Sequence, residues 1–599
     1  AWQGQAISQW QEHFVSALEA LIEYCADAPR KGYTPSDFPL LPATLTQLDQ
    51  LIPSLEQRRQ IALDNIQDIY PLTPLQSGIL FETLYAQTAD NKGMYLTQSA
   101  IGVRGAVDVQ VLQQAWQLIL DHYDALRMLV LTDAADLNMG LQVILKQVAL
   151  AIETVDWREN TDAELKVACE QWMGDSKRSG IRFDQVPLMR MTIFQGQTAS
   201  YVLFEQHHVV MDGWSQSIVL ANLFKLYQAL IQHQDYALPA TAPYGAYVKA
   251  ILKRNQEEEA LYWKQYLVHY EERTPLPMAH LAPQLNAARE AFNTASFCLP
   301  SEASDKLEQL LKDNRLTMNT VLQFIWGLLL HLHSGNDSVV FGSVSSGRTG
   351  ILDIKHSDQI VGLCINTTPT CIRFDRQLPL LDQLKQMQGR ESEKLQYEAT
   401  SLVQIQEWLG HSSNESFFQT LFVYENYPVE QIAEANSIIT DFIGDDTPNY
   451  PLSITGAQGE EVKVYLTYDA YFYSEETIDT LMQQFERLAL QLIAAPEALL
   501  SEVSLISEQE REQLLVSCNN TQADYPTDQC IHQLVIEQAK MHPDKVAVVH
   551  GDRTLSYQQL DEQSRDLALY LQSLGVLPDS LVGLCLERSL AMVVGMLGI

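Results

Sequence analysis

Apolar residues recur every three or four positions in two stretches of the chain, and this spacing predicts amphipathic helices. The first stretch spans residues 6–25 and lacks an obvious partner in the neighbouring sequence. Its apolar positions are Ile7, Trp10, Phe14, Leu18, Leu21 and Ile22. The second stretch has its apolar stripe at Leu112, Ala115, Trp116, Ile119 and Leu120.

From residue 70 onward, strand-like and helix-like patterns alternate, which is typical of an α/β protein. Residues 201–206 predict a buried strand, and a helix follows over about residues 215–230. The polar loop between them, residues 207–213, lies at the carboxyl end of the predicted strand. Because α/β proteins commonly place their chemistry on such loops, this loop is the first candidate site.

Composition and charge limit the classes of function. With 599 residues, 46% of them hydrophobic, the chain can form several cores, and we expect about three or four compact units. No run of about 18 apolar residues and no export signal occur, so we expect neither a membrane span nor secretion. The 75 acidic residues against 39 basic ones give a net charge of -36, which opposes nucleic-acid binding.

The eight cysteines are scattered, without a CxxC pair or a histidine cluster at metal-ligand spacing. This distribution fits a reducing compartment, and we expect a cytoplasmic protein without a metal site. The sequence starts at Ala1 instead of Met and stops within an apolar run. We therefore expect both ends to be cut from a longer polypeptide.

The sharpest local signal is the sequence HHVVMDG at residues 207–213. An imidazole with a pKa near ~6.5 can take a proton from an attacking amine at neutral pH, and His208 is the candidate. Asp212 could orient an imidazole or be tied to an arginine that holds the loop's shape, and we favour the structural role. Gly213 would permit a tight turn and bring an N–H close to a reacting carbonyl. The alternative is a strand end with two buried, hydrogen-bonded histidines and an ordinary Asp–Gly turn.

This loop resembles the HHxxxDG signature of nonribosomal peptide synthetase condensation domains, members of the chloramphenicol acetyltransferase-like acyltransferases. Other segments are similar to further motifs of that family, in the same order along the chain. They are YPLTPLQSGILF at 70–81, DHYDALR at 121–127, YGAY at 244–247 with Trp263, SGR at 346–348, VGLCINT at 361–367 and LFVYENYP at 421–428.

The resemblance implies an α/β fold of two lobes meeting in a V, with a tunnel that has His208 at its centre. Two phosphopantetheine arms, supplied by partner carrier domains, would enter from opposite faces, and no cofactor would bind to the chain directly. The donor would arrive as a thioester on an upstream carrier, and the amine of a downstream aminoacyl-carrier would attack it. His208 would deprotonate or position that amine, with His207, Asp212 and Gly213 completing the catalytic motif.

The resemblance also implies residues that support the loop or the tunnel. The family's RHxxLR element has Asp121 here in place of its first arginine, so Arg127 is the better candidate to pair with Asp212. Arg348 is the alternative partner. Asn366 either lies near the tunnel or supports a loop. The supporting residues are Arg127, Trp214, Ser215, Arg348 and Asn366.

The flanking sequences resemble parts of other synthetase domains. Residues 1–40 resemble the tail of an epimerisation domain, and residues from about 530 resemble the start of an adenylation domain that stops before its phosphate loop and catalytic lysine. The predicted boundaries are 1–40 for the tail and linker, 41–235 for the N-terminal lobe, 236–500 for the C-terminal lobe, 501–528 for a linker and 529–599 for the truncated adenylation domain.

The predicted function is peptide-bond formation, with a D-configured donor because YPLTPLQ and LFVYENYP are similar to the subgroup that accepts one. Expected partners are the upstream donor carrier, the downstream acceptor carrier and the rest of the assembly line, with no nucleic acid or membrane. One alternative is a catalytically silent platform that recruits a carrier or partner enzyme. Another is an epimerisation domain, although such domains typically read DGxSW and here Trp214 follows Gly213 directly. A free-standing acyltransferase that uses coenzyme A is disfavoured because no basic cluster occurs.

Overall fold

The structure is a computed structural model. It describes residues 4–26, 32–88, 93–132, 140–270, 272–279, 292–348, 354–411, 416–425, 438–445, 450–459 and 461–599. The chain forms two compact units, Ala1–Leu505 and Ile506–Ile599.

The first unit contains helices and strands in alternation. Its described helices are α1 (Gly4–Ala26), α2 (Leu45–Arg59), α3 (Pro74–Thr88), α4 (Val109–His122), α5 (Asp162–Ser179), α6 (Gly213–Ile231), α7 (Tyr244–Leu252), α8 (Gln256–Tyr266), α9 (Ser301–Asn314), α10 (Met318–Ser334), α11 (Leu380–Lys394), α12 (Leu402–Leu409) and α13 (Glu475–Ala494). Its described strands are β1 (Ile66–Pro71), β2 (Leu96–Arg104), β3 (Met128–Leu131), β4 (Leu141–Leu145), β5 (Ile152–Asp156), β6 (Met189–Gln195), β7 (Ala199–His207), β8 (Phe292–Cys298), β9 (Ser338–Ser345), β10 (Asn366–Arg373), β11 (Thr420–Glu425), β12 (Ile439–Asp445), β13 (Leu452–Gln458) and β14 (Val462–Asp469).

These strands form mixed sheets. A three-stranded sheet has the order β1-β4-β3, a five-stranded sheet has the order β12-β2-β7-β6-β5, and a six-stranded sheet has the order β10-β9-β11-β13-β14-β8. The β5–β6, β9–β11 and β11–β13 pairs are parallel. β12 comes from late in the chain yet pairs with β2 in the sheet that contains β7. The α/β class predicted from the sequence is confirmed.

The elements around the candidate loop follow the predicted pattern. α4 buries the predicted stripe of Leu112, Ala115, Trp116, Ile119 and Leu120. Its Trp116 packs against Phe204 of β7, with ring centroids 5.2 Å apart. β7 ends at His207 and α6 starts at Gly213, so the loop lies at the carboxyl end of its strand, as predicted.

The N-terminal segment contains one predicted helix and one predicted linker. The helix predicted over residues 6–25 is α1, and its apolar side chains are largely exposed, with Trp10 at 74% and Phe14 at 65%. In the stretch predicted as a linker, Phe38 is 1% exposed and packs in one hydrophobic cluster with Leu129 of β3. The end of the predicted linker is therefore part of the core beside the three-stranded sheet.

The six-stranded sheet has its own hydrophobic cluster, built with α9, α10, α11 and α13. α10 contributes most of it, because apolar residues occupy all sides of this helix and nearly all of them are buried. This core is distinct from the cluster around α4 and α6.

The second unit contains α14 (Glu508–Glu512), α15 (Ile531–Met541), β15 (Val546–His550), β16 (Arg553–Ser556), α16 (Tyr557–Ser573) and α17 (Leu590–Gly598). β15 and β16 form an antiparallel pair. Its small core is built around Leu555, Leu560 and Leu590. Among the described helices of both units, none combines the length and the apolar character needed to cross a bilayer.

Candidate active site

The candidate loop is anchored to the sheet by backbone hydrogen bonds at its first two residues. The N–H of His207 donates to the carbonyl of Leu188 at 3.0 Å. The N–H of His208 donates to the carbonyl of Tyr95 at 2.8 Å. Strand-like pairing thus continues into the loop and fixes where the two histidines leave the sheet.

The His207 ring is enclosed and fully hydrogen-bonded. Its Nδ1 accepts the backbone N–H of Val209 at 3.2 Å, so the proton of the neutral ring is on Nε2. That Nε2 lies 3.3 Å from the hydroxyl oxygen of Thr83. The ring also packs against Phe183, with centroids 4.7 Å apart.

Burial lowers the pKa of His207 to about 3. The ring is therefore neutral throughout the physiological pH range, and it exchanges no proton with a substrate there. Its contacts instead hold the turn that follows it. His207, predicted as part of the catalytic motif, has the contacts of a residue that shapes the loop.

His208 is in a different environment from its neighbour. The residue is partly exposed, and its Nδ1 is buried without a hydrogen-bond partner among the described residues. No carboxylate is bonded to this nitrogen among the described residues. Because the residue is partly exposed, its ring can contact a bound group.

Asp212 is fully buried, and its two carboxylate oxygens are shared among several donors. Arg348 donates to both oxygens, at 3.0 Å in each case. The backbone N–H groups of Cys364 and Ile365 donate at 2.8 and 3.0 Å, and that of Ser215 donates at 2.8 Å, which caps α6. This bidentate ion pair, here named the brace, joins the loop to two distant stretches of chain.

The charges of the brace stabilise each other. Burial alone would raise the pKa of Asp212, but the Arg348 guanidinium and the hydrogen bonds outweigh burial and hold it below its usual range. Burial alone would lower the pKa of Arg348, and the Asp212 carboxylate raises it instead. Both groups stay ionised, and Asp212 has the structural role favoured from the sequence.

The prediction that Arg127 pairs with Asp212 is wrong. The guanidinium of Arg127 donates to main-chain carbonyls at the end of α4 and on β4, and to the side chain of Gln67. The bond from its Nε to the carbonyl of Leu145 is 2.7 Å long. Arg127 thus satisfies the free carbonyls that every helix end exposes, and Arg348 is the partner of Asp212.

Ser215 and Trp214 connect the start of α6 to the segment around residue 360. The hydroxyl of Ser215 donates to the carbonyl of Gly362 at 2.7 Å and accepts from Arg348 at 2.7 Å. The indole N–H of Trp214 donates to the carbonyl of Asp358 at 3.1 Å. Both residues have the supporting contacts predicted for them.

Gly213 is the first residue of α6, so its conformation is helical and the tight turn predicted from the glycine does not form. As a residue of the first turn, its N–H has no acceptor within the helix. It also lies at the positive end of the helix dipole. That this N–H stabilises a developing negative oxygen stays a prediction.

Asn366 begins β10 and is buried. Its amide nitrogen donates to the carbonyls of Glu398 and Thr400 at 2.8 and 2.7 Å. These contacts match the interpretation of Asn366 as a polar loop support.

Two residues that support the loop were not identified from the sequence. Gln76 is fully buried, and its amide nitrogen donates to the carbonyl of Val209 at 3.1 Å. Thr83 contacts His207 as described above. Both residues are on α3. Gln76 falls within the YPLTPLQ motif, and its place in that motif was the sequence feature that could have identified it.

The described residues contain no group of three or more His, Cys, Asp or Glu side chains placed to hold a metal ion. The thiol of Cys364, beside the brace, is buried, and burial raises its pKa to about 12. It therefore supplies no thiolate nucleophile at neutral pH.

Several solved structures share this fold. A four-domain nonribosomal peptide synthetase bound to AMP and glycine superposes with a TM-score of 0.65 at 18% identity, over 85% of this chain and 39% of that one. The first condensation domain of the calcium-dependent antibiotic synthetase, in complex with a substrate analogue, gives a TM-score of 0.57 at 19% identity, over 73% of this chain and 99% of that one. The fold is therefore that of the chloramphenicol acetyltransferase-like condensation domains, as predicted.

Sequence comparison identifies the family. The condensation domain family matches residues 66–515, and the AMP-binding enzyme family matches residues 535–599. The chain belongs to the condensation domain family of nonribosomal peptide synthetases, an acyltransferase-type family that forms amide bonds, and it includes part of an AMP-binding domain.

The relatives are parts of much longer synthetases. One of the linear gramicidin synthase proteins of Brevibacillus parabrevis is 34% identical over 597 residues, which are 99% of this chain and 8% of that protein. Bacitracin synthase 3 of Bacillus licheniformis is 30% identical over an alignment of 607 positions, which covers 100% of this chain and 9% of that protein. The chain thus spans less than a tenth of the length of either relative.

Proposed function

We propose that this chain forms a peptide bond between an acyl thioester on an upstream carrier and the α-amine of an aminoacyl group on a downstream carrier. The observation that supports this most directly is the partial exposure of His208 in a loop that backbone hydrogen bonds tie to the sheet. The polar side chains around it, those of His207, Asp212 and Ser215, are all engaged in hydrogen bonds within the protein. His208 is thus the one histidine of the motif that is free to contact a substrate.

The reaction needs little covalent help from the protein. The amine nitrogen attacks the thioester carbonyl, the C–N bond forms, the C–S bond breaks, and one proton passes from nitrogen to the leaving sulfur. Because the thioester is already activated, placing the two tethered groups together supplies much of the rate. His208 would orient the amine and accept its proton, while Gly213 at the start of α6 would stabilise the carbonyl oxygen.

The substrates would come from elsewhere in the assembly line. We propose that each carrier delivers its acyl group on a phosphopantetheine arm, since the chain resembles parts of multidomain synthetases. In this arrangement residues 41–235 and 236–500 would form the two lobes. Residues 1–40 would be the tail of an upstream epimerisation-type domain with a linker. Residues 501–528 would link to the partial adenylation domain at 529–599.

We further propose that the donor is D-configured. The support is the similarity of residues 70–76 and 421–428 to the D-accepting subgroup, together with the epimerisation-like sequence of residues 1–40. Residues 426–428 lie outside the described part of the chain. An upstream epimerisation step would supply such a donor.

The test is dipeptide formation between two separately loaded carriers, with the donor residue supplied in its L or D form. Product from the D donor alone supports the whole proposal. Product from the L donor alone would support peptide-bond formation but contradict the proposal that the donor is D-configured. No product from either donor, with both carriers bound, would instead support a silent recruitment platform.

A further inference from the structure

Gln206 is buried two positions before the candidate catalytic residue, and one of its polar atoms has no partner among the described residues. The residue precedes the histidine pair on β7 and is 1% exposed. Its amide nitrogen points to the side-chain oxygen of Gln216 at 3.4 Å. Its own side-chain oxygen, Oε1, is buried and forms no hydrogen bond within the described part of the chain. A buried acceptor without a partner loses its bonds to water without replacement.

Further polar side chains surround Gln206. Thr97 lies directly opposite it on β2, and its hydroxyl donates to the carbonyl of Gln206 at 3.3 Å. The amide nitrogen of Gln216 donates to the hydroxyl of Ser99 at 2.5 Å. We name Thr97, Ser99, Gln206 and Gln216 the Gln206 subsite. It brings two strands and the first turn of α6 together around one unpaired oxygen.

The partly exposed residues near Gln206 include residues of the active-site loop. Along residues 201–220, partial exposure is confined to His208, Gly213, Trp214 and Gln216. Thr97 is also partly exposed. Gln206 and His208 are two positions apart in sequence, and β7 ends between them at His207. A group held by His208 would therefore lie close to the subsite.

The subsite is suited to an uncharged donor. Its four side chains are amides and hydroxyls, none of which is a carboxylate. The adjacent Glu205 is directed elsewhere, since it accepts hydrogen bonds from Gln98 and Ser176. Burying an ammonium group against neutral side chains alone would be unfavourable, whereas an amide N–H or a neutral amine needs only one acceptor.

We infer that Oε1 of Gln206 accepts a hydrogen bond from an uncharged N–H of the thioester substrate and so positions that substrate beside His208. This inference rests on the proposed function and deepens it. The N–H has two possible sources: the neutral α-amine of the acceptor, or an amide group of the phosphopantetheine arm. Gln206 is a positioning residue in this account, and it transfers no proton.

Binding of two unreactive probes distinguishes these sources and does not depend on turnover. One probe is alanyl pantetheine with the thioester sulfur replaced by a methylene group, and the other is the matching propionyl compound, which lacks the α-nitrogen. Calorimetry at a pH of about 8.5 keeps the α-amine mostly neutral, because its pKa is about 7.7–8.0. The variant is Gln206→Met, which keeps the volume and removes the acceptor.

We expect Gln206→Met to bind a probe about threefold to tenfold more weakly, the equivalent of one neutral hydrogen bond. Weaker binding of both probes identifies the amide of the arm, and weaker binding of the alanyl probe alone identifies the amine. The melting temperature should stay the same or rise, because an unsatisfied polar atom is removed. Unchanged affinity for both probes would overturn the inference.

Gln383→Met is the matched control. Gln383 is also buried, but its amide is fully paired, with the nitrogen donating to the carbonyls of Asp375 and Leu378. Its oxygen accepts the N–H of Asp375. This variant should lower the melting temperature and leave both affinities unchanged.

A second variant and a second assay complete the test. Gln216→Met, at the partly exposed edge of the subsite, should weaken the same probe by a smaller factor, and no weakening there contradicts the shared subsite. Dipeptide formation by the unaltered chain, measured separately, tests the proposed function alone.

Discussion

Arg348 and Asp212 form a bidentate ion pair in which each carboxylate oxygen lies 3.0 Å from a guanidinium nitrogen. The two residues are far apart in sequence, and their side chains are 2% and 0% exposed. The pair joins the end of the active-site loop to the stretch after β9. Because the same carboxylate caps α6, the brace also sets where that helix begins.

Removing one partner of the brace should be costly. Arg348→Met leaves the buried carboxylate of Asp212 without its counter-charge, and we expect the free energy of unfolding to fall by about 3–5 kcal/mol. Urea unfolding measures the loss. Combining Arg348→Met with Asp212→Asn should cost less than the sum of the single changes, by about 1–3 kcal/mol.

Arg127→Met is the matched control for this double-mutant cycle. Arg127 is also buried, but its described partners do not include Asp212. Its effect should therefore add to that of Asp212→Asn within about 0.5 kcal/mol. Strong coupling between Arg127 and Asp212, with none between Arg348 and Asp212, would contradict the brace.

His207 should make stability depend on pH on the acid side. Its pKa is about 3 in the folded chain against an ordinary value of 6.5, so below pH 6.5 the unfolded chain binds a proton that the folded chain does not. The free energy of unfolding should fall as the pH drops from 6.5 toward 3, by up to about 1.4 kcal/mol per pH unit. His207→Gln should reduce this slope, and equal slopes for the two proteins would exclude a neutral, buried His207.

Gly362 lies against the brace and cannot accept a side chain. Its φ is +152°, and a Cβ there would come within 2.2 Å of the ring of Tyr244. Gly362→Ala should therefore lower the free energy of unfolding by about 2–4 kcal/mol. In Gly389→Ala, on α11, the new Cβ would meet no atom within 4 Å, so helix propensity should raise stability by about 0.5–1 kcal/mol. Equal effects of the two changes would contradict the packing around Gly362.

Local periodicity was sufficient to predict the elements around the site. The stripe on α4 has a spacing of three and four residues, and all its predicted positions are buried. The strand before His207 and the helix after Gly213 were also predicted, because each is a local feature of the sequence.

The partners of Asp212 required the tertiary structure. Arg127 and Arg348 each belong to a motif of the family. The sequence does not indicate which of them lies close to Asp212 in the folded chain. Arg127 donates to free main-chain carbonyls at the end of α4. A pattern of side chains in the sequence does not reveal such main-chain acceptors. The subsite around Gln206 was also missed. A glutamine at the end of a strand is ordinarily exposed to solvent, and only the structure shows that this one is buried.

The most direct test of the central claim is the rate of amide-bond formation in a single turnover, with both carriers loaded. We predict that His208→Ala lowers this rate about 10²- to 10⁴-fold, the range for loss of a positioned acid–base group. His333→Ala, which removes a partly buried histidine bonded to Gln484 on α13, should leave the rate unchanged. A His208→Ala variant that forms the amide at the rate of the unaltered chain would contradict the assignment of His208 as the catalytic residue.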